Sequence, residues 1–348
     1  FLGLSLLLGI FGLFCSREIM VLLNTPADCL SMASEYLRIY FLGMLFFMLY
    51  DFGASILRSI GDTRRPMYAL IVSGVVNVIL NLLFVVVFHM GVAGAGLATV
   101  GANATSAVQI LYFLTHEELP IRLSFKSLTI DRDAVSKILK IGVPAGLQGM
   151  VFSLANVCIQ SGINSFGAGG IAGSAVELNY EYFAYYLVNA FAQTVVTFTG
   201  QNYGAGKPER IWQGVKASAL MMIVYWAFTF AVLMLGAGTF ALLFVEASEV
   251  EILRDAELFL HISVSFFPIL GLLCILRYTI QGAGYTNLAM LSGVSEMIAR
   301  ILVSLLAVPA FGYIAVCFGD PTAWIFADLF LIPAFIYVYR RILRMNKK

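Results

Sequence analysis

The sequence predicts an all-α polytopic membrane protein, a bundle of transmembrane helices in two lobes. Three observations carry this. Of the 348 residues, 60% are hydrophobic and 12% charged, whereas a soluble domain is about a quarter charged. The apolar residues come in blocks of the ~20 residues a helix needs to cross a bilayer, not in the short alternating segments of a β-barrel. Lys and Arg collect in alternate connections between those blocks, as the positive-inside rule requires.

Ten spanning helices are expected, over 1–24, 34–60, 66–88, 92–115, 136–165, 171–203, 217–243, 256–281, 288–311 and 323–339. Turn signals separate them: Asn24-Thr25-Pro26, Gly61-Asp62-Thr63, Gly167 to Gly170, Gly204-Ala205-Gly206 and Asp320-Pro321. The long polar stretch after Glu117 divides the chain into a first lobe, 1–116, a cytoplasmic linker, 117–135, and a second lobe, 136–348.

Arg64 and Arg65, Arg122 to Lys140, Lys207 to Lys216, and the tail from Arg340 to Lys348 share one side, which is read as the cytoplasm. The C-terminus is therefore expected inside. The other side is acidic, with Asp28, Glu35, Glu246, Glu249, Glu251, Asp255, Glu257 and Asp320.

The chain repeats itself at an offset of 223 residues. Gly61, Thr63 and Met67 meet Gly284, Thr286 and Met290, and Leu82, Leu83 and Val85 meet Leu305, Leu306 and Val308. Internal repeats of this kind are typical of secondary transporters. The second copy has six helices and the first four. The repeat thus predicts that two partner helices, about 90 residues with their connections, precede Phe1.

Several function classes are disfavoured. A net charge of +1 gives no footprint for nucleic acid. The five cysteines and three histidines are scattered, with neither a disulfide framework nor metal-ligand spacing. No Walker motif, nucleophile elbow or metalloprotease helix is present, so neither an enzyme nor an ATP-driven pump is expected, and no cofactor.

Charges inside a membrane are costly and mark function. Glu177 and Glu181 lie four apart, on one helix face. Tyr180, Tyr182, Tyr185 and Tyr186 surround them, and Asn179, Asn189 and Gln193 continue the polar stripe. Two carboxylates in this setting suit uptake of a proton or a cation, and the aromatic faces suit a lipophilic organic cation. Glu296 and Arg300, also four apart, are placed to neutralise each other or to face a central cavity. Asp51 has no local partner and either pairs with an arginine across the bundle or faces the cavity. Arg277 is a candidate partner for any of these acids. Asp328, after an interfacial Trp324, reads as structural. Asn77 with Asn81, and Gln160 with Asn164, read as interhelical hydrogen-bond glue.

Gly200-Gln201-Asn202-Tyr203-Gly204-Ala205-Gly206 resembles the G-Q-N-x-G-A-G segment of the multidrug and toxic compound extrusion (MATE) family. So do Leu57 to Thr63 with Pro66-Met67, Gly91 to Thr99, and Gly142-Val143-Pro144-Ala145-Gly146-Leu147-Gln148, the last in a bacterial branch. The resemblance spans the chain. It implies a twelve-helix, two-lobe bundle of which ten helices are present. It also implies export of organic cations or drugs in exchange for Na+ or H+, by rocking of the lobes about a central cavity. The protein would then be a monomer in the lipid bilayer of the bacterial inner membrane.

Carried over residue by residue, Glu181 resembles a glutamate of that branch, and Glu296 with Arg300 resembles its Glu-x-x-x-Arg helix. Gln148 falls in the matching segment and Tyr185 beside the glutamates. Asp51 stands where many relatives have Asn. The acid many members carry in the first helix is not in this sequence, and Met150-Val151-Phe152 occupies a stretch where some place a glutamate. A flippase for lipid-linked oligosaccharide shares the architecture; its cavity would need arginines for pyrophosphate, and only Arg277 and Arg300 lie deep. A receptor or membrane enzyme is the remaining alternative.

Overall fold

The computed structural model describes the backbone of residues 2–22, 27–116, 121–124, 129–164, 167–241 and 249–346. The side chains described are those of these residues except 2, 22, 27–28, 155, 157–164, 167–184, 237–241, 251–252 and 346. The chain forms two compact units, Phe1–Thr129 and Ile130–Lys348. Among the described residues there are helices and no strands.

The first unit contains α1 (Leu2–Leu22), α2 (Ala27–Leu42), α3 (Met44–Ser59), α4 (Arg64–Asn81) and α5 (Gly91–Thr115). The single helix expected over 34–60 is instead broken, with α2 and α3 meeting at 46°. The break is at Gly43, where a Cβ would lie 2.6 Å from Val100 Cγ2. Close approach of α5 thus forces a glycine, and glycine weakens the helix there. α4 continues as a π-helical stretch, Leu82–Val87. Its side chains from Val72 to Phe88 are largely exposed and apolar, a surface that is stable only against lipid.

The second unit contains α6 (Arg132–Asn164), α7 (Gly167–Gly204), α8 (Pro208–Ala241), α9 (Val250–Gly282), α10 (Thr286–Leu302), the short α11 (Val308–Phe311) and α12 (Tyr313–Cys317), and α13 (Gly319–Asn346). Its core is built on α9 and α13, with Phe267, Leu270, Leu273, Ala327, Leu331 and Phe335 buried together. Pro268 inside α9 withholds a donor from the carbonyl of Val264, four residues back. Trp226 of α8 supplies the missing bond, donating its indole N–H to that carbonyl at 2.9 Å. A freed backbone group in a membrane must find such a partner.

α6 and α10 run parallel. Thr286 donates to the Lys140 carbonyl at 3.3 Å, Gly293 faces Gln148, and Arg300 meets Asn156 at 2.9 Å. Among the described residues seven helices are long and apolar enough to cross a membrane, and the bent α2–α3 pair makes an eighth. α6 and α7, the other two of the ten expected spans, reach 33 and 38 residues.

The two units repeat one frame. α2 with α3 begins at Ala27 and ends at Ser59; α9 begins at Val250 and ends at Gly282, an offset of 223 at both ends. Gly61 (φ +91°) and Gly284 (φ +86°) close the two turns with left-handed backbone that favours glycine. Each bonds back to the residue three before it, Arg58 and Gln281. α4 and α10 both end in a π-helical stretch. The offset then slips to 221: Gly91 (φ +57°) corresponds to Gly312 (φ +65°). Ala102, Ser106, Ile110 and Leu114 are buried as Ala323, Ala327, Leu331 and Phe335 are. The expected register beyond the π-helical stretch is therefore corrected by two residues. Two fewer residues follow the second copy of that helix before the glycine turn.

Candidate functional site

α10 presents Ala289, Ser292, Glu296, Ala299, Arg300 and Val303 to the interior, the three- and four-residue spacing of one helix face. α9 brings Arg277 against it. Arg277 Nε donates to Ser292 Oγ at 2.9 Å, and its Nη2 donates to Glu296 Oε1 in an ion pair. The side chains are 9% and 3% exposed, so both charges are desolvated and depend on each other.

Arg300, one turn along the same face, is engaged elsewhere. Its Nη2 lies 2.6 Å from Asp320 Oδ1 at the start of α13. Its Nη1 donates to Asn156 Oδ1 at 2.9 Å, and the guanidinium lies over the Phe152 ring, 4.9 Å from its centroid. The expected neutralisation of Glu296 by Arg300 is thus corrected. Each charge finds its partner on another helix, and each pair ties α10 to a neighbour.

Asp328 of α13 completes the cluster. It is 6% exposed and lies within coulombic range of Arg277 and Glu296. Among the described residues neither of its oxygens has a hydrogen-bond partner. It sits nine residues into α13, about 14 Å from the helix start. Trp324, one turn before it, is buried too, edge-on to Phe267.

Tyr185 lies half-buried on α7, in the same electrostatic neighbourhood as Arg277, Glu296, Tyr278 and Cys274. Gln148 is half-buried against Gly293 of α10. Asp51 is exposed on α3, and among the described residues it forms no ion pair with an arginine of another helix. Glu177, Asn179 and Glu181 fall on the α7 backbone; their side chains, like those of Gln160 and Asn164, lie outside the described residues.

Sequence reasoning thus named Glu296, Arg300 and Tyr185 but missed Ser292 and underrated Arg277 and Asp328. The available signal was an Asp between Ala327 and Leu329 in a helix otherwise apolar for a full span. A separate cleft of about 960 Å³ opens where the start of α6 faces the α9–α10 turn, lined by Arg132, Lys140, Pro144, Tyr285 and Asn287 among others. Its lining includes no acid and none of Arg277, Ser292, Glu296 or Asp328.

The MatE family model matches residues 1–83 and 144–306, more than half of the chain. The chain belongs to the MatE family. It is accordingly a multi-span membrane protein. Its likeness to curated MatE relatives includes "Probable multidrug resistance protein YpnP" of Bacillus subtilis, 28% identical over 81% of this chain and 62% of that protein. It also includes the multidrug export protein MepA of Staphylococcus aureus, 24% identical over 84% of this chain and 65% of that protein. The chain thus spans about three fifths of the length of these curated relatives. Among solved MatE folds, a MATE crystal structure in the bent conformation matches with a TM-score of 0.88 at 20% identity, over 99% of this chain and 77% of that one. The Vibrio cholerae MATE transporter VcmN in the bent form matches at 0.85 and 20%, over 98% and 76%.

Proposed function

We propose that the protein exports organic cations or drugs in exchange for Na+ or H+, by alternating access of its two lobes. The carrying observation is the family match, with relatives named for multidrug export. The chemistry of the second unit supports it. A charge cluster buried among membrane helices is retained for transport more than for stability. In this reading Glu181, with Glu177 and Asn179, takes up the coupling ion. Tyr185, Gln148 and Asp51 line the substrate path. Glu296 and Arg300 hold the helices that move. The membrane is the bacterial plasma membrane, the C-terminus is cytoplasmic, and the working unit is a monomer with no cofactor.

The flippase alternative is disfavoured by the geometry. Arg277 and Arg300 are both committed to carboxylates, so neither guanidinium is free for a pyrophosphate.

The intact protein in proteoliposomes should move ethidium when a Na+ or H+ gradient is imposed, and Glu181→Gln should abolish that movement at unchanged expression. Absence of gradient-driven ethidium movement in the parent protein rejects the exporter assignment.

A further inference from the structure

The repeat supplies a control for the charged cluster. At the offset of 223, Arg277 corresponds to Ala54, Ser292 to Ala69 and Glu296 to Ser73; at the offset of 221, Asp328 corresponds to Ala107. All eight residues are buried. The first unit therefore closes the same positions of the same frame with small side chains, and Ser73 needs only the Ala102 carbonyl, at 2.6 Å, as a partner. The fold does not require charge there. Its presence in the second unit calls for another reason.

We infer that Arg277, Glu296 and Asp328 form a proton-exchanging triad in which Asp328 is the member that gains and loses the proton. The guanidinium of Arg277 stays charged in proteins, so the triad is neutral only with one carboxyl protonated. Glu296 already accepts from Arg277. Asp328 faces Cys274 and Arg277 on α9 and Glu296 on α10, while Tyr185 and Tyr278 lie around the pair. No charged group of α8 or α12 is in range among the described residues. Asp328 is the carboxyl with no donor on either oxygen among the described residues, and burying it ionised without one costs most.

A proton arriving from water forms one O–H bond on Asp328 and takes the triad from a net charge of −1 to 0. The reverse step returns the proton to water and breaks only that bond. Ionised Asp328 competes with Glu296 for Arg277. Loss of the proton thus draws α13 toward α9 at the expense of the α9–α10 link. That is a movement within the second unit which proton binding biases, as a ligand must to shift a conformational equilibrium.

The role in transport rests on the exporter reading; the protonation does not. The two are tested separately. Infrared difference spectra of the intact protein in lipid, taken across a pH titration, should show a protonated-carboxyl carbonyl band that Asp328→Asn removes and Asp328→Glu retains, shifted. An unchanged band in Asp328→Asn overturns the inference. In proteoliposomes, Asp328→Asn should keep ethidium exchange without a gradient and lose its response to an imposed pH step. A response equal to the parent's overturns the inference as well. Should the parent itself not transport, the exporter reading falls and the infrared result still decides the triad. Folding is controlled by the combined variant Arg277→Ala, Glu296→Ser, Asp328→Ala, which restores the first unit's residue types and should express and purify like the parent while lacking the band.

Discussion

The first unit fills the buried centre of its frame with Ala54, Ala69, Ser73 and Ala107, and the second fills the same places with Arg277, Ser292, Glu296 and Asp328. The helices, glycine turns and π-helical stretches around them correspond. The difference shows which property belongs to the frame and which was added to it. Shape comes from the apolar and small residues common to both copies. Among the described residues, buried charge is confined to the second unit, where the low dielectric that makes it costly also makes its protonation and pairing responsive.

The largest expected effect breaks this comparison directly. Arg277→Ala leaves Glu296 buried without its counter-charge and should destabilise the protein by about 3–5 kcal/mol. The combined replacement by the first unit's residue types removes all the charge and should change stability by only about 1–2 kcal/mol in either direction. Chemical or thermal unfolding in detergent measures both. A combined variant as damaged as Arg277→Ala would mean that the charges are part of the frame after all.

A middle-sized effect sharpens the comparison at the helix defect. The first unit breaks at Gly43, and the second carries Pro268 near the corresponding depth without breaking. The Trp226 indole is what satisfies the freed Val264 carbonyl. Trp226→Phe should cost about 1–3 kcal/mol by orphaning it, measured in the same unfolding assay. Full stability in this variant would show that α9 stays whole for another reason.

The smallest effect is at the turn after α3. Asp62 sits where the second unit has Tyr285. Partial burial works against its charge. Even so, the hydrogen bond from the Arg65 side chain, the Arg65 and Arg64 backbone N–H groups and the Arg65 charge hold its carboxyl below the usual carboxylate range. The native value is the lower one, so the stabilisation is present above about pH 4 and is lost as pH falls through that lowered value. Asp62→Asn should cost at most about 1 kcal/mol at neutral pH, and the difference from the parent should vanish in acid. A difference independent of pH would assign the effect to turn geometry alone.

Much of the fold was legible because bilayer thickness acts on composition. A block of apolar residues the length of a span has few alternatives to a helix, and glycine turns at Gly61 and Gly284 punctuate both copies. The break at Gly43 was not legible, since it depends on Val100, which approaches from another helix. The register slip from 223 to 221 was hidden for a similar reason. One Leu or Val matches another at either offset, and only burial and the φ of Gly91 and Gly312 tell the offsets apart.

The candidate site divides in the same way. From the sequence alone came the membrane class, the repeat, and the identity of the charged residues that are buried and must be compensated: Glu296, Arg300, Arg277 and Asp328. Local spacing suggested that Glu296 and Arg300 would pair, because neighbours four apart on a helix lie within reach. Only the tertiary structure decided the partners. It gave Glu296 to Arg277, gave Arg300 to Asp320 and Asn156, and left Asp328 with no donor among the described residues. A buried charge is satisfied by whichever group the packing of helices brings to it, and that packing is set by residues far apart along the chain.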